Sequence, residues 1–204
     1  MITIIDYGLG NVLAFVNVYN RLNIPVAVAK SVGDLTHATK LILPGVGSFD
    51  HAMLQLDQSG MRQSIEQLVL QQSMPVLGIC VGMQMLAKSS DEGALPGLGW
   101  IDGVVKKFDV SKMPKGTNLP HMGWNDVTPV VDSGFFKGME QDARFYFLHS
   151  YYFECCQQAN VLAVTDYGGS FTCAVHRENV YGVQFHPEKS HHFGTHLLKN
   201  FAEI

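Results

Sequence analysis

At 204 residues, 47% of them hydrophobic and 16% charged, the chain has the length and composition of one folded domain or two small ones, not of a disordered segment. Lys and Arg number 14 against 18 Asp and Glu, a formal net charge of −4. With no basic run longer than Lys106-Lys107, that balance argues against a general nucleic-acid or membrane-surface binder.

Ile2–Ile5 reads as a first strand that meets an acid at Asp6; no basic leader precedes it, so no secretory signal is expected. After Gly8-Leu9-Gly10, Val12, Phe15/Val16, Tyr19 and Leu22 recur at helical spacing. Val26–Ala29 predicts a second strand, followed by a short helix capped by Ser31. Leu41-Ile42-Leu43 is a third apolar run, stopped by Pro44-Gly45-Val46-Gly47. Phe49–Leu56 and Met61–Gln71 read as helical segments broken at Gly60, and Pro75–Ile79 as a fourth strand running into a helical stretch, Val81–Ala87. The apolar region Met74–Ala87, interrupted by Gly78, Gly82 and Gln84, is too short to span a bilayer. Short apolar runs alternating with amphipathic helices predict a doubly wound α/β unit with a mostly parallel sheet.

The second half changes character. Trp100–Phe108, Trp124–Val127, Ala143–His149, Val161–Thr165, Phe171–His176 and Val180–Phe185 are strand-like, with antiparallel hairpins expected to extend the sheet. A final amphipathic helix puts Phe193, Leu197, Leu198 and Phe201 on one side. Lys112–Leu119 is the only linker-like stretch and is too short to separate two cores, so residues 1–204 are expected to form a single domain.

Gly78-Ile79-Cys80-Val81-Gly82 sits where a strand turns into a helix, the thiol version of a nucleophile elbow. Such a turn strains the central residue, needs small flanking residues, and lifts the sulfur over free N–H groups that favour thiolate. Outside that context Cys80 would read as a small buried hydrophobe. Cys155, Cys156 and Cys173 lack the glycine flanks, and no CxxC occurs; four such cysteines make no disulfide framework, so a reducing cytoplasm is expected.

A thiol nucleophile needs a histidine, itself held by a third group. In Phe185-His186-Pro187-Glu188 a strand ends and Pro187 keeps His186 extended, so that residues two apart share a side. Glu188 is then expected to take one ring N–H of His186 and leave the other nitrogen for Cys80; the rival reading is a strand-end histidine beside a solvated glutamate. Both sites fall at the carboxyl ends of predicted strands, where α/β sheets bind ligands. Gly45 and Gly47 let backbone turn inward, so an N–H at Val46 or Gly47 would join that of Val81 in an oxyanion hole. His149 follows an apolar run and would line the pocket. His191, His192 and His196 lie on the last helix; His192 and His196 have ligand spacing but no third partner, and no metal is expected. Asp6–Asn11 fails the dinucleotide pattern and no Walker sequence occurs, so no cofactor is expected.

Together, Gly78–Gly82, Gln84 and His186-Pro-Glu188 resemble the class I, triad-type glutamine amidotransferases. Asp6–Asn11, Pro44–Phe49, Pro120-His-Met-Gly-Trp-Asn125, His149–Tyr152 and Gly182–Ser190, spread in order over nearly the whole chain, are similar to the glutaminase subunits of imidazole glycerol phosphate synthases. The resemblance implies a flavodoxin-like amidotransferase fold. It implies that Cys80 attacks the glutamine side-chain amide, that His186 moves the proton and Glu188 orients it, and that a glutamyl thioester releases glutamate. Ammonia would travel through a channel to a separate cyclase subunit, a β/α barrel, as a heterodimer serving histidine synthesis. By position, Gly47, Gln84, Glu92 and the backbone of His149, Ser150 and Tyr151 would hold glutamine, and Asn11, Trp124, Tyr146 and Lys189 would face the cyclase. The resemblance further implies very low activity without the cyclase, because the oxyanion hole would form only in its presence. Competing readings are an amidotransferase subunit of anthranilate, guanylate or pyridoxal phosphate synthesis, a stand-alone cysteine hydrolase or protease, and a non-catalytic binding module on the same fold.

Overall fold

The computed structural model describes residues 1–204. Four short apolar runs become the strands β1 (Ile2–Ile5), β2 (Val26–Ala29), β3 (Lys40–Gly45) and β4 (Val76–Cys80). The connecting helices are α1 (Val12–Arg21), α2 (Phe49–Gln58) and α3 (Arg62–Glu66), the last continuing as a π-helical turn. β1, β3 and β4 are predominantly apolar, as strands covered on both faces require; Ile4, Ile5, Leu41, Ile42, Leu43, Val76 and Leu77 are all fully buried. The helix after the elbow, α4 (Val81–Gln84), is a single turn, much shorter than the expected Val81–Ala87.

The second half supplies β5 (Ser89–Ser90), β6 (Gly103–Lys107), β7 (His121–Asp126), β8 (Thr128–Pro129), β9 (Arg144–His149), β10 (Tyr151–Cys155), β11 (Val161–Asp166), β12 (Ser170–Arg177) and β13 (Val180–Val183). The chain ends in α5 (His191–Glu203), which buries Leu197, Leu198 and Phe201, while Phe193 packs at the edge of the core.

The main sheet runs β2-β1-β3-β4-β13-β12-β10-β6-β5. The strands from β2 to β13 are parallel; β12, β10 and β6 continue antiparallel, and β11 pairs with β12. This is the mixed, mostly parallel sheet with added antiparallel strands that the sequence predicts. Crossovers leaving β1 and β3 in opposite directions place α1 and α2–α3 over opposite faces, and α5 joins α1, with the Tyr19 hydroxyl donating to the Leu198 carbonyl at 3.2 Å.

One arrangement differs from the expectation. β7 and β9 do not join the main sheet; they form their own antiparallel ribbon, with His121 opposite His149 and Trp124 opposite Tyr146. Its backbone is tied to the segment after β13, where His186 N–H donates to the Tyr146 carbonyl and Tyr146 N–H to the Ser190 hydroxyl. The ribbon therefore leans over the carboxyl end of the parallel strands and forms one wall of a cleft there.

Candidate active site

The elbow has the strained geometry its glycines predict. Cys80 adopts φ +54° and ψ −114°, a conformation that L-residues rarely take outside tightly determined sites. A Cβ on Gly78 would lie 2.6 Å from the Gly82 carbonyl oxygen, and a Cβ on Gly82 would overlap the Leu43 carbonyl. The crossing works only with bare backbone on both sides of Cys80. Because α4 is one turn long, no extended helix dipole lies behind the sulfur.

His186 follows β13, the parallel neighbour of β4 in which Val183 pairs with Ile79. Its Nδ1 lies 2.9 Å from Glu188 Oε1, and both side chains are almost wholly buried. Burial pulls the imidazole toward its neutral form. Hydrogen bonding to Cys80 and Glu188, and the charges of both, outweigh it and lift the pKa to about 10. The segment is held by Ser190, whose hydroxyl donates to the His186 carbonyl at 2.6 Å. Two distant parts of the chain thus meet: a sulfur on a strained turn from one, and from the other an imidazole held in its protonated form with the carboxylate that fixes the ring.

The loop after β3 closes a third side. Gly45 pairs with Cys80 across the β3–β4 ladder, and a Cβ on Gly45 would collide with the Gly82 amide, so the Pro44–Gly47 backbone lies against the elbow. Gly47 has φ +85°, available to glycine without strain. The Asp6–Asn11 loop backs this turn: the Tyr7 hydroxyl donates to the Pro44 carbonyl at 2.6 Å, and a Cβ on Gly10 would sit 2.6 Å from Pro44 Cβ. Burial, then the nearby Cys80, pushes the Tyr7 phenol well above its usual pKa, so it stays a donor.

These elements surround a cleft of about 300 Å³ lined by Val46, Gly47, Cys80, Val81, Gln84, Glu92, the 148–151 backbone, His186 and Lys189. Every residue expected to hold glutamine is on its wall. Glu92 Oε2 accepts from the Phe49 N–H at 2.8 Å, at the start of α2, so the loop acid is pinned in place while staying half-buried. Gln84 Nε2 donates to the Tyr151 carbonyl at 3.3 Å and to Gln184 Oε1 at 3.0 Å. Gln184 was not singled out in the sequence. It is fully buried, and its Nε2 lies 3.7 Å from Cys80 Sγ. The signal was there: a lone amide inside the otherwise apolar run Val180–Phe185 needs partners when buried.

Residues 3–204 match the family model described as glutamine amidotransferase class-I. The chain belongs to the class I glutamine amidotransferase family. Among its relatives, the imidazole glycerol phosphate synthase subunit HisH of Bdellovibrio bacteriovorus is 64% identical over 204 residues, all of both chains. The subunit of the same name from Leptospira interrogans is 52% identical, again over the full length of each. A solved glutamine amidotransferase superposes with TM-score 0.76 at 19% identity, covering 100% of this chain and 99% of that one, which establishes the shared fold.

On this amidotransferase, Trp124 and Lys189 are exposed beside the cleft, Tyr146 is half-buried between them, and Lys189 Nζ lies 5.9 Å from the Tyr146 ring centre. Asn11 is exposed at the end of the loop that backs Pro44. The last-helix histidines lie at the surface, with His191 stacked on Trp124 at 5.2 Å between ring centres. No helix is long and apolar enough to cross a membrane.

Proposed function

We propose that this chain, as one amidotransferase domain over residues 1–204, is the glutamine-hydrolysing subunit of an imidazole glycerol phosphate synthase, with Cys80, His186 and Glu188 as its catalytic groups. The observation that carries the chemistry is the meeting of the strained Cys80 with an imidazole that burial alone would have left neutral. The choice of this synthase over anthranilate, guanylate or pyridoxal phosphate synthesis rests on the end-to-end similarity to two subunits of that name.

The steps follow from the residues. Glutamine enters the cleft with its ammonium toward the Glu92 carboxylate and its backbone groups against residues 149–151. The Cys80 sulfur attacks the side-chain carbonyl carbon, and the oxygen takes up charge beside the N–H groups of Val81 and of Val46 or Gly47. Collapse breaks the C–N bond as the His186 proton passes to the leaving nitrogen, releasing ammonia and a glutamyl thioester. Water, deprotonated by the now neutral His186, cleaves the thioester to glutamate and restores the sulfur. Glu188 keeps the ring oriented and stabilises its charged form throughout. The ammonia passes to a cyclase subunit, a β/α barrel docked over Asn11, Trp124, Tyr146 and Lys189, in the cytoplasm.

The test is glutamine hydrolysis by the purified chain with and without a barrel-type cyclase, alongside Cys80→Ala. Strong stimulation by the cyclase, lost in Cys80→Ala, is the expected result. Peptide hydrolysis independent of the cyclase, full-speed glutaminase activity in the isolated chain, or no glutamine turnover under any condition would each overturn the reading.

A further inference from the structure

The cleft wall carries a second buried imidazole, His149, backed by a third, His121, and the mechanism uses neither ring. His121 of β7 and His149 of β9 face each other across the ribbon, with His121 Nδ1 3.0 Å from His149 Nε2. His149 Nδ1 lies 2.7 Å from the Tyr151 carbonyl oxygen, and Asn125 Nδ2 lies 3.3 Å from His121 Nε2.

The Tyr151 carbonyl decides where every proton sits, because a carbonyl oxygen only accepts. His149 must therefore donate from Nδ1, which makes its Nε2 an acceptor. His121 must donate from Nδ1 in turn, and its own Nε2 takes an N–H from Asn125. On the other side the same oxygen requires Gln84 to present its amide N–H groups, so Gln184 receives one through Oε1 and turns its Nε2 toward Cys80 Sγ. Both Gln84 hydrogens are used, and its Oε1 is what remains to offer a ligand. A continuous hydrogen-bonded network thus links Asn125, His121, His149, the Tyr151 carbonyl, Gln84, Gln184 and Cys80, with donation converging on the carbonyl from His149 on one side and Gln84 on the other.

The ribbon's two faces explain what such a network is for. Its outward residues, Met122, Trp124 and Leu148, are exposed, whereas His121, Phe147 and His149 point inward. His121 is stacked between Phe147 and Tyr167, with ring centres 4.6 and 3.9 Å away. Two neutral imidazoles in a dry site are a demanding way to fill an aromatic cluster unless their hydrogen bonds matter.

We infer that His121 is a positioning residue for glutamine binding: through His149 it holds the Tyr151 carbonyl, and with it the Gln84 and Gln184 amides, at the place the substrate and the sulfur require. The inference rests on the cleft being a glutamine site. Burial keeps both rings neutral, with pKa values pushed down to about 4 for His121 and about 3 for His149. The His149 value is raised in part by the Tyr151 bond and lowered further by the charges of His121 and His186.

Two substitutions separate the hydrogen bond from the packing. His121→Phe keeps an aromatic ring between Phe147 and Tyr167 but removes the donor. His121→Asn keeps an N–H near the Nδ1 position but loses the stack. Steady-state glutaminase kinetics are measured on the complex with the cyclase, with ammonia-driven cyclisation as the control for docking. His121→Phe is expected to raise KM for glutamine about tenfold, the effect of misorienting roughly one hydrogen bond, with ammonia-driven turnover unchanged. His121→Asn is expected to restore KM to within about twofold of wild type. An unchanged KM in His121→Phe, or an equal loss in both variants, overturns the inference. If His121→Phe does not fold, ring nitrogen shifts of wild type carry the test: both rings must be in the Nδ1–H form at pH 6 to 8, and the other tautomer in either ring overturns it. Wild type that fails to turn over glutamine with the cyclase would instead sink the proposed function.

Discussion

The parallel and antiparallel halves of the molecule both bring polar groups to the cleft at strand ends, but into different electrostatic surroundings. On the parallel side, Cys80 closes β4, the Pro44–Gly47 turn starts in the last residues of β3, and His186 lies just past β13. On the other side, His121 opens β7 and His149 closes β9, and the two form the terminal pair of the ribbon. The imidazoles of one cleft are consequently held in different states. His186 is raised to about 10 because burial is outweighed by Cys80 and Glu188, whereas His149 is lowered to about 3 because burial faces no charged acceptor. Burial alone neutralises a histidine; burial beside a carboxylate and a sulfur charges it.

That contrast can be broken at several points. Cys80→Ala removes the proposed nucleophile and is expected to lower cyclase-stimulated glutamine turnover by about four orders of magnitude or more; release of glutamate measures it. Glu188→Gln takes away the carboxylate that keeps His186 charged. Turnover should drop about a hundredfold, and the alkaline limb of the pH–rate profile should move below the region near 10 where His186 loses its proton. Retention of the wild-type profile would show that the carboxylate does not set the charge of the ring.

Gly82→Ala tests the bend that underlies the charged side. Its Cβ would overlap the Leu43 carbonyl, a backbone atom that cannot swing aside. A loss of about 3 kcal/mol in unfolding free energy is expected, read by denaturant titration. The smallest effect concerns the neutral side. For His121 and His149 the folded pKa values, about 4 and 3, lie below the reference value of 6.5, so the unfolded chain binds more protons between them. Their stabilisation is complete above pH 6.5 and is lost as pH falls toward 4 and 3. His186 has the reverse sign: its contribution is full below 6.5 and fades as pH rises through about 10. His121→Phe removes one depressed group and should make the fall in melting temperature between pH 6.5 and 4 shallower than in wild type.

The elements that read most clearly in the sequence are those whose signal is local. Apolar runs with turn residues at their ends yield β1–β4, and Gly78-x-Cys80-x-Gly82 encodes its own strained turn, since both glycines are needed by backbone a few residues away or in the adjacent strand. β10 was missed because Tyr151-Tyr-Phe-Glu-Cys155 shows no clear alternation, its only fully buried side chain being Phe153. β7 begins at His121, three residues before the expected Trp124, because its inward face is His, Gly and Asn while its apolar Met122 and Trp124 point outward. An inverted pattern of that kind does not read as a buried strand. Gln184 lay in plain view in the sequence, but its importance depends on Gln84 and Cys80, 100 and 104 residues away in the chain.

By itself, then, the sequence determined where the sheet's parallel strands lie, where the backbone at Cys80 must be strained, and which short motif pairs a histidine with an acid, because each depends on residues a few positions apart. Tertiary structure decided which imidazoles are charged, which way each amide points, and that a detached ribbon, not a strand of the main sheet, walls the cleft. Those properties also depend on burial and on partners from distant segments, Cys80 for His186, His121 for His149 and Gln84 for Gln184, which no local window contains.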